Sequence, residues 1–385
     1  MSIVKRVTKN TLWLTIAEVA CKGTGFVIAL IVARYLGPEN FGNYTTATSF
    51  VILFQVLADF GLRPLMVREV ARSTKTAEKY LSNFITIKIF LSFITLAAIY
   101  VGLWIFKADS NLTILILLAA LEMIFLSFSD LIRGLFQAFE KMKFETIVRT
   151  ATKFLSFTLV VAVILLGLWT KSILAALAIS AAFSMVLSLI LAKKHFIKIK
   201  FAFDKTFLKN SLKQSMLFAV TNIFIAIYFK IDTVMLSKMR TAAEVGYYNT
   251  AYELVFAFMF IPGIFSAAVY PALSRYYNED RQKLQELAAK FIKYYSVTAI
   301  TLIIFLMLLG APIIRFFYGA KYEPSILLFQ QLTIVLIFVF INYLAGTFLN
   351  ASNKQHVTTI AAGICAALNI GMNFLLIPQY GASGA

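Results

Sequence analysis

The sequence predicts an all-α polytopic membrane protein: two parallel-repeat six-helix bundles, the second one incomplete in this chain, around a central cavity. Three observations predict it. Hydrophobic residues make up 60% of the 385 and charged residues only 14%, where an ordinary soluble domain carries about 25%. Uncharged apolar runs long enough to cross about 30 Å of hydrocarbon recur along the whole length. Stretches such as Thr113 to Ala120 and Val297 to Leu309 lack the alternation of membrane strands, which leaves helices as the spanning element. The third observation is a repeat. Gly37-Pro38-Glu39-Asn40-Phe41-Gly42-Asn43-Tyr44 returns, blurred, as Thr241-Ala242-Ala243-Glu244-Val245-Gly246-Tyr247-Tyr248, 204 residues on from Gly42 to Gly246.

In chain order the apolar runs place spans at roughly 10–34, 41–65, 80–106, 111–137, 145–168, 171–193, 210–236, 246–272, 288–310, 325–350 and 355–377, eleven in all. Gly42, Gly310 and Pro378 fall at or near span ends, where helix breakers belong. In each copy the first helix opens on Asn-(Ser/Thr)-Leu, at Asn10-Thr11-Leu12 and Asn210-Ser211-Leu212. The second helix closes on a basic motif, Arg68-Glu69-Val70-Ala71-Arg72 after Pro64 and Leu273-Ser274-Arg275 after Pro271. A further echo sets Gly134-Leu135-Phe136-Gln137-Ala138-Phe139-Glu140-Lys141 against the run from Gly346 to Lys354. The copies begin six spans apart, an even number, so they share one orientation and the repeat is parallel. The expected domains are an N-terminal bundle 1–194, a basic cytoplasmic linker 195–209 that serves as hinge, and a C-terminal bundle 210–385. That last bundle has five complete spans, with the run Tyr380 to Ala385 as the start of a twelfth helix cut short.

Lysine and arginine are unevenly shared between alternate loops, 23 against 7, which sets the N-terminus in the cytoplasm of a multi-pass protein of the cell membrane. The net charge of +18 is carried largely by these short loops, so it is a topology signal and not a nucleic-acid-binding face. In the linker, phenylalanines interleaved with Lys198, Lys200 and Lys205 suit an anionic lipid surface or a plain basic connector. Cys21 and Cys365 lie alone in apolar runs, without CxxC or histidine partners, so neither a disulfide framework nor a metal site is expected. Lys5, Arg6 and Lys9 precede a run of transmembrane length, unlike a cleavable signal. The sequence contains no GxxxxGK[ST], HExxH or GxSxG. No catalytic residues, no cofactor and no enzymatic activity are expected.

Once the loops and span ends are assigned, six bases remain, Lys22, Arg63, Lys88, Arg133, Lys153 and Lys230, with the acidic counterparts Glu18, Asp59, Glu122, Asp130, Asp232 and Glu253. Each costs about 2.5–3.5 kcal/mol near the bilayer centre, so they must face protein or water. Glu18 with Lys22, Asp59 with Arg63, and Asp130 with Arg133 are spaced to share a helix face. Such pairs either lock helices together or line a hydrophilic cavity whose cations bind an anionic headgroup. For the second role the candidates are Lys22, Arg63, Arg133 and Lys153, with Asp59, Asp130 and Glu18 beside them. Arg63 and Arg133 lead, because guanidinium forks match phosphate oxygens and keep their charge when buried. Lys88 is expected to snorkel to the inner surface. Lys230 and Asp232 are two apart and cannot share a helix face. Glu122, Asp232 and Glu253 are candidates for ion coupling or neutral core acids. Tyr44, Tyr247, Tyr248, Phe316, Phe317 and Tyr318 are expected as an interfacial aromatic belt.

Asn10-Thr11-Leu12-Trp13, the stretch Ala33 to Tyr44, Ala58-Asp59-Phe60-Gly61-Leu62 and Arg68-Glu69-Val70-Ala71-Arg72 together resemble the N-terminal signature of the polysaccharide biosynthesis exporters. These are the O-antigen flippase-type members of the multidrug/oligosaccharidyl-lipid/polysaccharide exporter superfamily. The resemblance runs through Gly246-Tyr247-Tyr248 to the Pro378–Ala385 run. It implies a transporter of twelve or more helices in two lobes, which moves polyprenyl-pyrophosphate-linked oligosaccharide from the inner to the outer leaflet by alternating access. Lys22, Arg63, Arg133 and Lys153 are the positions that would hold the headgroup. A first-helix arginine typical of the lipid II flippases is replaced here by Lys22. Implied partners are the lipid-linked oligosaccharide, membrane lipids, a glycan polymerase and glycosyltransferases. The alternatives are a cation-coupled multidrug or small-molecule antiporter of the same superfamily, and a non-transporting glycan assembly protein.

Overall fold

The computed structural model describes residues 3–198, 200–352 and 355–385. Lys354, and with it the end of the Gly346–Lys354 echo, lies outside the described residues. No strand occurs among the described residues. The helices are α1 (Ile3–Asp59), α2 (Leu62–Arg72), α3 (Ala77–Phe106), α4 (Ser110–Ala138), α5 (Met142–Leu165) and α6 (Thr170–His195). After the linker come α7 (Lys205–Met239), α8 (Ala242–Ala257), α9 (Phe260–Glu279), α10 (Arg281–Phe317), α11 (Ser325–Ala351) and α12 (Gln355–Tyr380). The chain then closes in a 3₁₀ turn, Gly381–Gly384.

Among the described residues, ten helical stretches are long and apolar enough to cross a membrane. The first, Ala20–Arg72, has 53 residues, about 80 Å of helix against about 30 Å of hydrocarbon. It therefore holds the two expected spans, joined at Gly37 (φ 72, ψ 172) beside Pro38. Counted this way, the described residues hold eleven spans. Helix starts follow capping chemistry: the Asp109 carboxylate accepts the Leu112 N–H, Thr241 Oγ1 the Glu244 N–H, and Asp280 the N–H groups of Gln282 and Lys283.

By contacts the chain divides into two compact units, Met1–Leu36 with Asn43–Val234, and Gly37–Gly42 with Met235–Ala385. In the first unit α4 packs on α6, α2, α3 and α5. Its inner core joins Leu62, Leu65, Met66 and Val70 of α2 to Leu81 and Phe84 of α3 and to Leu131, Leu135 and Phe136 of α4. Serines let α4 and α6 approach: Ser129 Oγ lies 2.7 Å from Ser184 Oγ and 2.9 Å from Ser188 Oγ. Buried hydroxyls of this kind tie membrane helices together where lipid offers them no partner.

The division falls inside α7 and not in the 195–209 linker, and hydrogen bonds explain why. The Lys200 N–H donates to Ser82 Oγ (3.3 Å) and the Asp204 N–H to Asn83 Oδ1 (2.7 Å). Lys79 pairs with Asp204 at 3.1 Å and Lys200 with Glu78 at 3.5 Å. These contacts fasten the linker along the start of α3 and leave Phe201 and Phe203 exposed.

In the second unit α11 packs on α8, α9 and α10, around a core of Phe291, Tyr295, Ala299 and Phe340. Here the two copies of the sequence repeat meet. A Cβ on Gly42 would fall on the carbonyl oxygen of Ala242, and one on Gly246 on the carbonyl oxygen of Pro38. Only glycine permits backbones to cross that closely. Tyr248 and Tyr318 are buried, so these members of the expected aromatic belt are core residues. The belt expectation overlooked that their helices pack on both sides. Burial, with the Glu253 charge nearby, pushes the Tyr318 hydroxyl far above the ordinary phenol range.

Replacing Gly246 with Val is expected to cost about 3 kcal/mol through overpacking, read as a lowered unfolding midpoint in detergent. Gly371→Ala, where a Cβ meets nothing within 4 Å, should cause no loss.

Candidate functional site

The second span is interrupted where its charges begin. Asp59 ends α1, and Phe60 (φ 43) and Gly61 (φ 67) both adopt left-handed backbone before α2 starts at Leu62. A Cβ on Gly61 would come within 2.7 Å of the Ser215 carbonyl oxygen, so α7 packs flush against the break. Broken membrane helices are tolerated where protein or a cavity satisfies the freed backbone groups. The expected Asp59–Arg63 pair, which assumed an unbroken helix, does not form.

The two residues point their charges to different partners. Asp59 Oδ1 accepts from Lys88 Nζ at 2.8 Å and from Ser127 Oγ, and its Oδ2 accepts from Gln55 Nε2 at 3.1 Å. Lys88 Nζ also donates to the Ala58 carbonyl at 3.0 Å. Lys88 is 1% exposed and does not snorkel, because a carboxylate and a carbonyl freed by the helix break meet its ammonium in the interior.

Arg63 reaches across to α4 and α5. Its Nη1 donates to Asp130 Oδ1 at 2.8 Å, and its Nη2 to Glu145 Oε1 at 3.3 Å and Gln137 Oε1 at 3.4 Å. Arg133 Nη2 donates to the same Asp130 oxygen at 2.8 Å, as its i,i+3 spacing predicts. One carboxylate oxygen thus bridges two guanidinium groups. The Nε of Arg133 is buried without a hydrogen-bond partner. Gly134 makes the geometry possible, since a Cβ there would stand 3.0 Å from Arg63 Cγ and 3.2 Å from Met66 Cε. A cavity of about 220 Å³ adjoins the cluster, lined by Asp59, Gly61, Arg63, Pro64, Lys88, Asp130, Leu131 and Asn222.

The remaining predicted residues are distributed around this cluster or away from it. Glu18 pairs with Lys22 at 3.0 Å, as spacing predicts, and also takes Arg149 Nη2 at 2.8 Å. Glu122 on α4 feels the charge of Lys153 on α5, and neither lines the cavity. Asp232 is buried on α7 in the first unit, and Glu253 is half-buried on α8 in the second. Sequence reasoning missed Glu145 and left Arg149 in a loop. Their i,i+4 spacing at the start of the fifth span was the available signal. Gln55, Gln137, Ser127 and Asn222 were not singled out, because an uncharged polar side chain has no charge partner to pair it with by spacing.

Lys88→Met should leave the Asp59 carboxylate without its cation and cost about 3–5 kcal/mol. The double variant Lys88→Met/Asp59→Asn should recover most of that in the same unfolding measurement.

Comparison with known proteins agrees with this architecture. The chain matches the family described as polysaccharide biosynthesis protein over residues 7–277, and the MatE family over residues 218–375. It is 23% identical over 382 residues to a protein named capsular polysaccharide biosynthesis protein CapF of Staphylococcus aureus, covering 98% of this chain and 94% of that one. To the putative O-antigen transporter of Shigella flexneri it is 24% identical, covering 100% and 93%. To a protein named probable low-salt glycan biosynthesis flippase Agl15 of Haloferax volcanii it is 21% identical, covering 98% and 79%. Among solved structures, the lipid II flippase MurJ in an inward closed conformation superimposes with a TM-score of 0.75 at 19% identity, covering 97% of this chain and 83% of that one. An inward-facing multidrug resistance MATE transporter of the MOP superfamily gives 0.72 at 15%, covering 97% and 92%. The helical spans and the match over residues 7–277, most of its length, place this chain in the polysaccharide biosynthesis protein family, as a multi-pass membrane protein.

Proposed function

We propose that this protein moves a polyprenyl-pyrophosphate-linked oligosaccharide from the inner to the outer leaflet of the cytoplasmic membrane by alternating access. The observation that carries the reading is the paired guanidinium forks of Arg63 and Arg133, gathered on one carboxylate oxygen beside a polar cavity. Phosphate oxygens accept from such forks bidentately, and an arginine keeps its charge out of water. About 220 Å³ is below the usual range of about 300–1,000 Å³ for ligand pockets. On this reading the grip is on the pyrophosphate, the part common to all such lipids. Lys22 and Lys153, outside the cavity wall, would meet the headgroup on its path, and Glu122, Asp232 and Glu253 would serve ion coupling. The loop charge bias supports a cytoplasmic N-terminus. Glycosyltransferases would supply the substrate and a glycan polymerase consume it.

A second reading, a cation-coupled multidrug antiporter, draws on the MatE match and the MATE-like fold. Cationic drugs would require carboxylates free of partners. Asp59 and Asp130 both hold cations instead.

In cells that depend on this protein for surface glycan, Arg63→Ala/Arg133→Ala should reduce export at least about 100-fold with normal protein levels in the membrane, the loss expected for two charge-assisted fork contacts. Arg63→Lys should not restore it. Normal export by the double alanine variant would overturn the proposal, and drug-cation efflux without glycan export would favour the antiporter.

A further inference from the structure

We propose that residues 198–213 dock on the anionic phospholipid of the leaflet beside them, with Phe201 and Phe203 entering its acyl boundary and Lys198, Lys205, Lys209 and Lys213 holding headgroup phosphates. Such docking is independent of what the protein transports. The segment is held open for it by its own backbone. The N–H groups of Lys200 and Asp204 bond to Ser82 and Asn83 of α3 at 3.3 and 2.7 Å, and Ala202 between them is half-buried. Alternate side chains of an extended segment point to opposite faces. Phe201 and Phe203 accordingly turn outward and are 82% and 60% exposed. The Phe203 ring meets the Phe90 ring edge-on, with 6.2 Å between centroids. Phe90 belongs with Phe93, Ile94 and Trp104 to the exposed apolar side of α3, the side that a spanning helix turns to lipid. The linker phenylalanines thus continue a lipid-facing surface and are not an isolated apolar patch in water.

Charge fits the same surface to an anionic leaflet. Between residues 193 and 213 seven lysines stand against one carboxylate, that of Asp204. Asp204 is taken by Lys79, and Lys200 is turned to Glu78. Lys198, Lys205, Lys209 and Lys213 are exposed, and among the described residues no carboxylate pairs with them. The last three are four apart in α7 and form one stripe, while Phe207, Leu208 and Leu212 pack on the core. Lys205 stands in the first turn of α7, where the helix dipole opposes a cation, so helix stability does not account for its charge. Aromatic rings beside a row of basic residues are the composition of a segment that lies in a membrane surface. Each lysine near an anionic leaflet strengthens docking about fivefold. On the orientation proposed above, that leaflet is the cytoplasmic one.

The test places the purified full chain in nanodiscs of phosphatidylcholine, alone or with about 30% phosphatidylglycerol, and follows amide hydrogen exchange of the peptide covering residues 201–209. Phosphatidylglycerol is expected to slow exchange at least about tenfold. Salt at about 0.5 M should reverse most of that, since the Debye length falls to about 4 Å. Lys198→Gln/Lys205→Gln/Lys209→Gln/Lys213→Gln should exchange equally fast in both bilayers, and Phe201→Ser/Phe203→Ser should lose most of the protection. Lys283→Gln/Lys290→Gln/Lys293→Gln, which removes the same kind of charge from α10, should keep it. If the linker variants do not fold, the lipid and salt dependence of the unaltered protein decides alone. Equal exchange of the unaltered protein in the two bilayers would overturn the docking, as would protection that survives the lysine variant. Protection by free inorganic pyrophosphate in pure phosphatidylcholine would assign the lysines to a soluble phosphate and overturn the membrane partner.

Discussion

The first unit is organised by the need to keep charge out of hydrocarbon, and the Asp130 carboxylate is where that need is met. Its Oδ1 accepts from Arg63 and Arg133 at 2.8 Å each, which ties α2 to α4, while Glu145 ties α2 to α5. An unpaired ion at this depth costs several kcal/mol, and a paired one still carries its desolvation cost. Such a cluster therefore adds less stability than orientation. It sets which faces of α2, α4 and α5 turn inward and leaves the outer faces to Leu, Ile and Phe.

The break at Phe60–Gly61 serves the same end. A continuous second span would have placed Asp59 and Arg63 one turn apart, where they would neutralise each other. Two left-handed residues separate them instead, so that Asp59 takes the buried Lys88 and Arg63 is released toward the cavity. The apolar face of α2, Leu62, Leu65, Met66 and Val70, holds the restarted helix on the core. Gly134 gives the Arg63 stem its passage. Packing and charge are thus solved by one short element. Its neighbours on α7 close over it without a Cβ to spare at Gly61.

The repeat takes on a physical meaning that a sequence comparison does not contain. Gly42 and Gly246 stand at equivalent points of the two copies and lie against the opposing backbone. Thr241 and Ala242, which stand in the second copy where the first has Gly37 and Pro38, are tolerated because the crossing needs only a missing Cβ at the two glycines and a cap at the start of α8. Thr241 supplies that cap.

Composition, span length and the internal repeat were enough by themselves to determine a helical membrane protein of repeated bundles. Those properties depend on transfer free energies that add along the chain and need no knowledge of neighbours. Local spacing likewise determined the Glu18–Lys22 and Asp130–Arg133 pairs, since both sit on unbroken helix. Only the tertiary structure decided that Asp59 belongs to Lys88, that Arg63 belongs to Asp130 and Glu145, and that Arg149 turns inward to Glu18. The physical reason is that a buried ion is satisfied by whichever opposite charge packing brings within about 3 Å. Packing depended here on partners far along the chain: at the helix break Lys88 meets the Ala58 carbonyl 30 residues away, in the serine seam Ser129 meets Ser184 55 residues away, and Arg149 meets Glu18 131 residues away.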